Sequence, residues 1–181
     1  DPIHYGHLRL AEEMADALSL REVRFIPTGQ PPHRAAPLAS AQHRLEMTRR
    51  AIAGNPRFAV DDREVRATRP SYTVDTLTEL RDELGAQQPL VLLLGADAFL
   101  GLASWHQWRR LFDLAHLAIA HRPGSPLQHA LPEPVQREVE ARWIKGNEPT
   151  SAGRLDGLGA AGSVSEFEMT PLAISGSAIR D

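Results

Sequence analysis

The chain has 181 residues, 42% of them hydrophobic and 24% charged, a composition that suits one globular domain with a core of its own. Its formal net charge of −3 excludes a general electrostatic pull toward nucleic acid or anionic membranes, so any phosphate ligand must meet positive charge held locally in a cleft. The absence of cysteine excludes a disulfide framework and thiolate metal sites. No apolar run approaches the roughly 18–20 residues of a membrane span, and no basic region precedes an apolar signal segment. The expectation is a cytoplasmic protein whose partners are small molecules, neither nucleic acid nor membrane; the pattern specifies no oligomeric state.

In chain order, Leu8, Ala11, Met14, Ala15 and Leu18 recur at helical spacing and predict an amphipathic helix over 6–18. Val23–Ile26 is a short β-rich run, followed by a loop marked by Pro27, Gly29, Pro31 and Pro32. A second helix is expected over 41–53, then short strands at 58–60 and 64–65. Thr73 is placed to cap a helix with Val74, Leu77, Leu80 and Leu84 on one face, closed by Gly85. Residues 90–95 form a continuous apolar run without a polar face, which predicts a central parallel strand covered on both sides. A helix is expected over 105–112, a strand over 117–120, a surface helix over 134–143, a loop over 146–162 and a last strand over 164–169, with Ser175 opening a final helix. This alternation predicts an α/β fold: an open, mostly parallel, doubly wound, Rossmann-like sheet with helices on both faces. Ligands in such sheets sit beyond the carboxyl ends of the strands. The chain opens at Asp1 in what reads as a loop entering a helix and stops at Asp181 just after a helix begins. A single domain over 1–181, lacking an N-terminal strand and a C-terminal tail, is therefore expected.

Two segments carry the chemistry. His4-Tyr5-Gly6-His7 places two imidazoles three residues apart at the first helix start. Backbone N–H groups there attract anions, and Gly6 lets a phosphate approach the backbone closely. Read alone, the pair is also compatible with surface histidines or half of a metal site. Ile174-Ser175-Gly176-Ser177-Ala178-Ile179-Arg180 is a second helix start with hydroxyls and a permanent positive charge. Taken together, the two segments suggest a triphosphate gripped from both sides.

Asp1-Pro2-x-His4-x-Gly6-His7 with Ile174-Ser175-x-Ser177-x-Ile179-Arg180 resembles the signature pair of the H-x-G-H nucleotidyltransferases. Pro31-Pro32-His33-Arg34, Pro70-Ser71-Tyr72-Thr73, Gly95-Ala96-Asp97 and Ser104-Trp105 are similar, in order, to the bacterial nicotinate-nucleotide adenylyltransferase pattern. The resemblance implies attack by the 5′-phosphate of nicotinate mononucleotide on the α-phosphorus of ATP, with release of pyrophosphate. It implies ATP contacts from His4, Gly6, His7, Gly95, Asp97, Ile174, Ser175, Ser177 and Arg180, with His4, His7 and Arg180 acting in catalysis. The mononucleotide would meet His33, Arg34, Tyr72, Thr73 and Trp105, the last by stacking and the neighbouring backbone by donating to the ring carboxylate. Mg²⁺ would arrive on the phosphates and take no protein ligand. Ser177 stands where threonine is common in the family, and Arg34 where lysine or arginine is usual. Trp108 is read as core; Arg44 and Arg122 are lesser candidates, Arg44 read rather as a helix-surface charge and Arg122 as closing a strand near the expected nucleotide edge; His43, His106, His116, His121 and His129 receive no role. Phosphopantetheine adenylyltransferase and a non-catalytic nucleotide-binding module are the competing readings.

Overall fold

The computed structural model describes residues 2–31, 38–121, 131–144 and 159–170. These fall into two compact units, one of residues 2–16 and 20–72, the other of residues 17–19 and 73–170. Every ladder in both is parallel, and helices separate the strands, as the alternating pattern predicts.

In the first unit, α1 (Tyr5–Ala17) turns Ala11, Met14 and Ala15 inward. Strands β1 (Val23–Phe25) and β2 (Phe58–Val60) pair in register Val23↔Phe58 to Phe25↔Val60. Between them lies α2 (Ala41–Ile52), capped by the Ser40 hydroxyl, which accepts from the His43 N–H at 3.2 Å. Arg57 donates to Asp16 at 2.6 Å and to Glu12, and Asn55 donates to Glu12 at 2.9 Å, fastening α1 to the turn that enters β2. The strand expected at 64–65 is instead one helical turn, α3 (Arg63–Arg66). Asp61 accepts from the Arg63 N–H at 3.0 Å, and Asp62 pairs with Arg66 at 2.8 Å. That acidic pair nucleates a turn against the β-propensity of Val65.

The second unit begins with α4 (Thr73–Leu84), which buries Val74, Thr76, Leu77 and Leu80. Thr73 is its first helical residue, where a cap just outside the helix was expected. Then come β3 (Val91–Gly95), α5 (Ala96–Leu100), α6 (Leu111–Leu114), β4 (His116–His121), α7 (Glu133–Arg142) and β5 (Val164–Glu168). The strands run β3-β4-β5. β4 is buried from His116 to Ala120, so both of its faces are covered. Leu117 and Ile119, fully inaccessible, each contribute roughly 1.5–3 kcal/mol by burial. The apolar run at 90–95 predicts a central strand, yet among the described strands β4 is the middle one and β3 stands at the end of the order. Hydrophobicity reports how much of a strand is covered, not its rank in a sheet.

The helix expected over 105–112 is broken. One 3-10 turn spans Leu102–Ser104, a second spans Trp108–Arg110, and Gln107 sits between them at φ 49°. A left-handed residue cannot continue an α-helix, and for a non-glycine it costs about 1–2 kcal/mol. Trp108 lies in the core as expected, its ring edge-on to Phe112 at 6.2 Å.

Two polar groups hold the sheet edge together. Arg81 donates to the carbonyls of Leu114 (2.8 Å), Ala160 (2.5 Å) and Gln88. His116, without a role in the sequence reading, is a buried pin: its Nε2 donates to Gly159 O at 2.9 Å, and its Nδ1 meets the Ser163 hydroxyl at 2.5 Å and the Ser163 N–H at 3.2 Å. Those bonds need the neutral ring, and burial lowers its pKa below the ordinary 6.5. The unfolded chain therefore takes up a proton here before the folded one. The pin's contribution is complete above pH 6.5 and is lost as pH falls from there through the lowered folded value. The thermal midpoint of wild type should exceed that of His116→Gln at about pH 7.5, and the gap should narrow toward about pH 5. A gap independent of pH would contradict this account. Among the described residues, no helix is long and apolar enough to cross a membrane.

Candidate active site

Helix α1 begins in a way that explains the spacing of its two histidines. The His4 carbonyl accepts from the N–H groups of His7 (2.9 Å) and Leu8 (3.3 Å), which makes His4 the N-cap. Its Nδ1 accepts from the Gly6 N–H at 3.1 Å. The His7 Nδ1 accepts in return from the His4 N–H at 3.2 Å. This is a reciprocal capping box with imidazoles in place of the usual Ser/Thr and Glu/Gln, and it requires a separation of three residues. The rings lie 3.9 Å apart at 40°.

The box fixes the chemistry of both rings. Each Nδ1 accepts a backbone proton, so each neutral ring carries its own proton on Nε2. Protonating Nδ1 would break the box. Loss of solvation pushes the His4 pKa down. His7 falls to about 4, first through loss of solvation and then through repulsion from His4, although its outer edge remains exposed. Near neutral pH the pair therefore offers two neutral Nε2–H donors. A metal half-site, compatible with the sequence alone, fits poorly: the Nδ1 lone pairs are engaged and Nε2 holds the proton.

Gly6 has a reason beyond phosphate approach. A Cβ there would stand 2.9 Å from the Cε1 and Nδ1 of His4, so a side chain would displace the capping ring. Glycine is required by the imidazole it makes room for.

The other described candidates lie in the second unit, except Tyr72, which ends the 20–72 stretch of the first. Gly95 ends β3 and is the N-cap of α5 through backbone alone. Asp97 is exposed in the first turn of α5, beyond the carboxyl end of a parallel strand, where ribose hydroxyls are commonly met. Because Gly95 holds the cap position, the Asp97 carboxylate is not consumed as a helix cap. Trp105 is half-buried, leaving part of its ring accessible. Its own N–H donates to Leu102 O at 3.0 Å, so that amide is spent within the 3-10 turn, and a donor to a ring carboxylate must come from elsewhere. Thr73 stands in the first turn of α4, where N–H groups project from the helix end. Tyr72 is half-buried just before it. His33, Arg34, Ile174, Ser175, Ser177 and Arg180, with Arg122, lie outside the described residues.

Sequence reasoning misjudged the exposure of Arg44, a lesser candidate, and gave Ser71 no role of its own. Arg44 is not a surface charge: it is 8% exposed on the inward face of α2 beside Leu45 and Thr48. Its Nη2 donates to Gly29 O at 3.1 Å and its Nε to Ala39 O at 3.3 Å. The available signal was its position on the same helical stripe as Leu45, Thr48 and Ile52. Ser71 lies within a quoted motif, yet nothing in its residue type announced that its hydroxyl accepts from the N–H groups of Gly29 (3.1 Å) and Gln30 (3.3 Å).

The cytidylyltransferase-like family profile matches residues 1–181. A probable nicotinate-nucleotide adenylyltransferase of Dechloromonas aromatica (strain RCB) is 54% identical to this chain, across 99% of the chain and 81% of the relative. Another protein of that name from Chromobacterium violaceum is 46% identical, across 99% and 81%. Among solved structures, the Plasmodium falciparum nicotinic acid mononucleotide adenylyltransferase complexed with NaAD is similar at a TM-score of 0.66 and 16% identity, covering 99% of this chain and 77% of that one. Its likeness speaks for the fold alone. With identity this high over nearly the whole chain, the protein belongs to the nicotinate-nucleotide adenylyltransferases, within the cytidylyltransferase-like family.

Proposed function

We propose that this enzyme joins ATP and nicotinate mononucleotide to give nicotinate adenine dinucleotide and pyrophosphate, a step of NAD biosynthesis. The observation that carries the proposal is the histidine capping box, which engages both Nδ1 atoms at a helix N-terminus and so leaves an Nε2–H donor on each ring. The attacking phosphate monoester needs no base, because it is already ionised near neutral pH. Catalysis then rests on aligning two polyanions and stabilising charge as it develops on the transferring phosphorus.

In this proposal His4 and His7 donate to ATP phosphates, and Gly6 keeps the His4 ring in place. Ser177 and Arg180, with Ile174 and Ser175 at the same segment, hold the outer phosphates. Gly95 and Asp97 meet the nucleoside. Mg²⁺ fits this donor set as an ion carried by the triphosphate, since the imidazole pair presents protons and not lone pairs; when bound it neutralises phosphate charge. His33, Arg34, Tyr72 and Thr73 receive the mononucleotide, and Trp105 stacks on its ring. Trp105→Ala is expected to raise the KM for nicotinate mononucleotide about tenfold, the worth of one stacked ring, with the KM for ATP unchanged. Equal losses for both substrates would contradict the stacking role.

The proposal is tested by following pyrophosphate release with ATP, Mg²⁺ and either nicotinate mononucleotide or phosphopantetheine. Turnover with the first and none with the second is expected. The reverse would make this a phosphopantetheine adenylyltransferase, and no turnover with any mononucleotide would make it a binding module.

A further inference from the structure

Among the described residues, Ser19 and Gln107 are the non-glycines with a left-handed backbone. Ser19 (φ 52°) follows α1, where the Leu20 N–H donates to Ala15 O at 2.8 Å and closes the helix in the ordinary way. Gln107, at φ 49° and ψ 38°, has no helix to end. It stands third in a turn from Trp105 to Trp108, closed by the Trp108 N–H donating to Trp105 O at 3.2 Å. A left-handed third position in such a turn usually goes to glycine. Here the glutamine amide ties the turn to its neighbours: Oε1 accepts from Arg110 Nη1 at 2.7 Å, and Nε2 donates to His106 Nε2 at 3.0 Å.

The consequence concerns the two tryptophans. A continuous helix through this stretch would set Trp105 on the same face as Trp108 and Phe112. Those two belong to the core. Phe112 is 1% exposed, and the Trp108 ring lies edge-on to it at 6.2 Å with the Arg109 guanidinium over its face at 4.3 Å. An aromatic added to that stripe would be drawn into the same apolar layer. The left-handed residue takes Trp105 off the stripe. Trp108 is buried, whereas Trp105 is half-buried between exposed Ser104 and exposed His106. Gln107 is itself exposed, so its strained backbone contributes no burial; what it achieves is the separation of the two rings.

We propose that Gln107 is a positioning residue for the acceptor nucleotide: its left-handed backbone keeps the Trp105 ring out of the core and open to the pyridine of the mononucleotide. This rests on the stacking role given to Trp105 under the proposed function. Gln107→Val puts a β-branched residue where left-handed backbone is least tolerated, while Gln107→Gly keeps the turn without strain. In Gln107→Val the KM for nicotinate mononucleotide is expected to rise about tenfold, the worth of one stacked ring. Its KM for ATP should stay within about twofold of wild type. Acrylamide quenching of Trp105 fluorescence supplies a readout apart from activity. Subtracting the signal of the matching Trp105→Phe protein removes Trp108 and Trp143, and the quenching left should fall in Gln107→Val as the ring is covered. Gln107→Gly should match wild type in quenching and in both KM values. The inference is overturned if Gln107→Val keeps the mononucleotide KM while only its thermal midpoint drops, or if both KM values rise equally. Unchanged quenching in Gln107→Val, or a Gln107→Gly that behaves like Gln107→Val, would overturn it as well. Should Gln107→Val not fold, Gln107→Ala, the strongest helix former at this exposed position, carries the same comparison. Any of these results in a protein whose wild type turns over nicotinate mononucleotide sinks this inference alone. A wild type with no such turnover sinks the proposed function and the role of Gln107 with it.

Discussion

Replacing His4 with alanine is expected to lower kcat about a hundred- to a thousandfold, the loss seen when one preorganised donor to a transition-state oxyanion is removed. The KM for nicotinate mononucleotide should change little, because in the role proposed for His4 the interaction is realised mainly as charge builds on the transferring phosphorus. Alanine also removes the N-cap of α1, at about 1 kcal/mol, so a second substitution is needed to separate chemistry from folding. His4→Asn serves: a side-chain oxygen at the cap can still accept the Gly6 N–H, while the shorter side chain carries no donor as far out as Nε2. The kcat of His4→Asn should therefore fall nearly as far as that of His4→Ala, with the thermal midpoint close to wild type. His4→Gln, whose amide reaches farther, should retain more activity than His4→Asn. If kcat instead tracked the thermal midpoint through the series, His4 would be a structural cap only.

Arg81→Met is expected to cause the largest loss of stability. The guanidinium holds the carbonyls of Gln88, Leu114 and Ala160, joining the approach to β3, the end of α6 and the approach to β5. Methionine fills much of the volume but leaves those carbonyls without this donor. Hydrogen bonds to a charged group contribute about 1.5–3 kcal/mol each, and Arg81 is only half-buried, so water recovers part of the loss. A net cost of about 3 kcal/mol corresponds to roughly 6–12 °C in a domain of this size. Thermal denaturation near neutral pH measures it, and a midpoint within about 2 °C of wild type would contradict the role given to Arg81.

The fold class was legible because the strands are short apolar runs separated by helices with clear stripes. Val91–Gly95, Thr73–Leu84 and Glu133–Arg142 fall within a residue or two of expectation. Where the reading failed, local chemistry outweighed propensity. Asp61 and Asp62 turned 63–66 into a helical turn, and Gln107 in a left-handed conformation broke the helix expected through 105–112. At the candidate site, residue type and spacing single out His4, Gly6 and His7, and the structure adds the capping geometry that joins them. Spacing alone leaves a metal half-site open there, whereas the capping box engages the Nδ1 lone pair of each ring. Arg44, Ser71 and His116 were not legible, because their work is to hold backbone carbonyls and amides that are distant in sequence. Arg81 belongs with them: on a helix, its charge reads as solvated until the carbonyls around it are seen.

The proposed acceptor is a pyridine mononucleotide bearing a carboxylate. Backbone N–H donors at such a ring favour the acid over the amide, whose NH₂ group cannot accept the same bonds. The most direct test is the ratio of kcat/KM for nicotinate mononucleotide to that for nicotinamide mononucleotide, with ATP and Mg²⁺ saturating. A ratio well above about ten, equivalent to more than 1.4 kcal/mol of discrimination, is predicted. A ratio near or below unity would contradict the account.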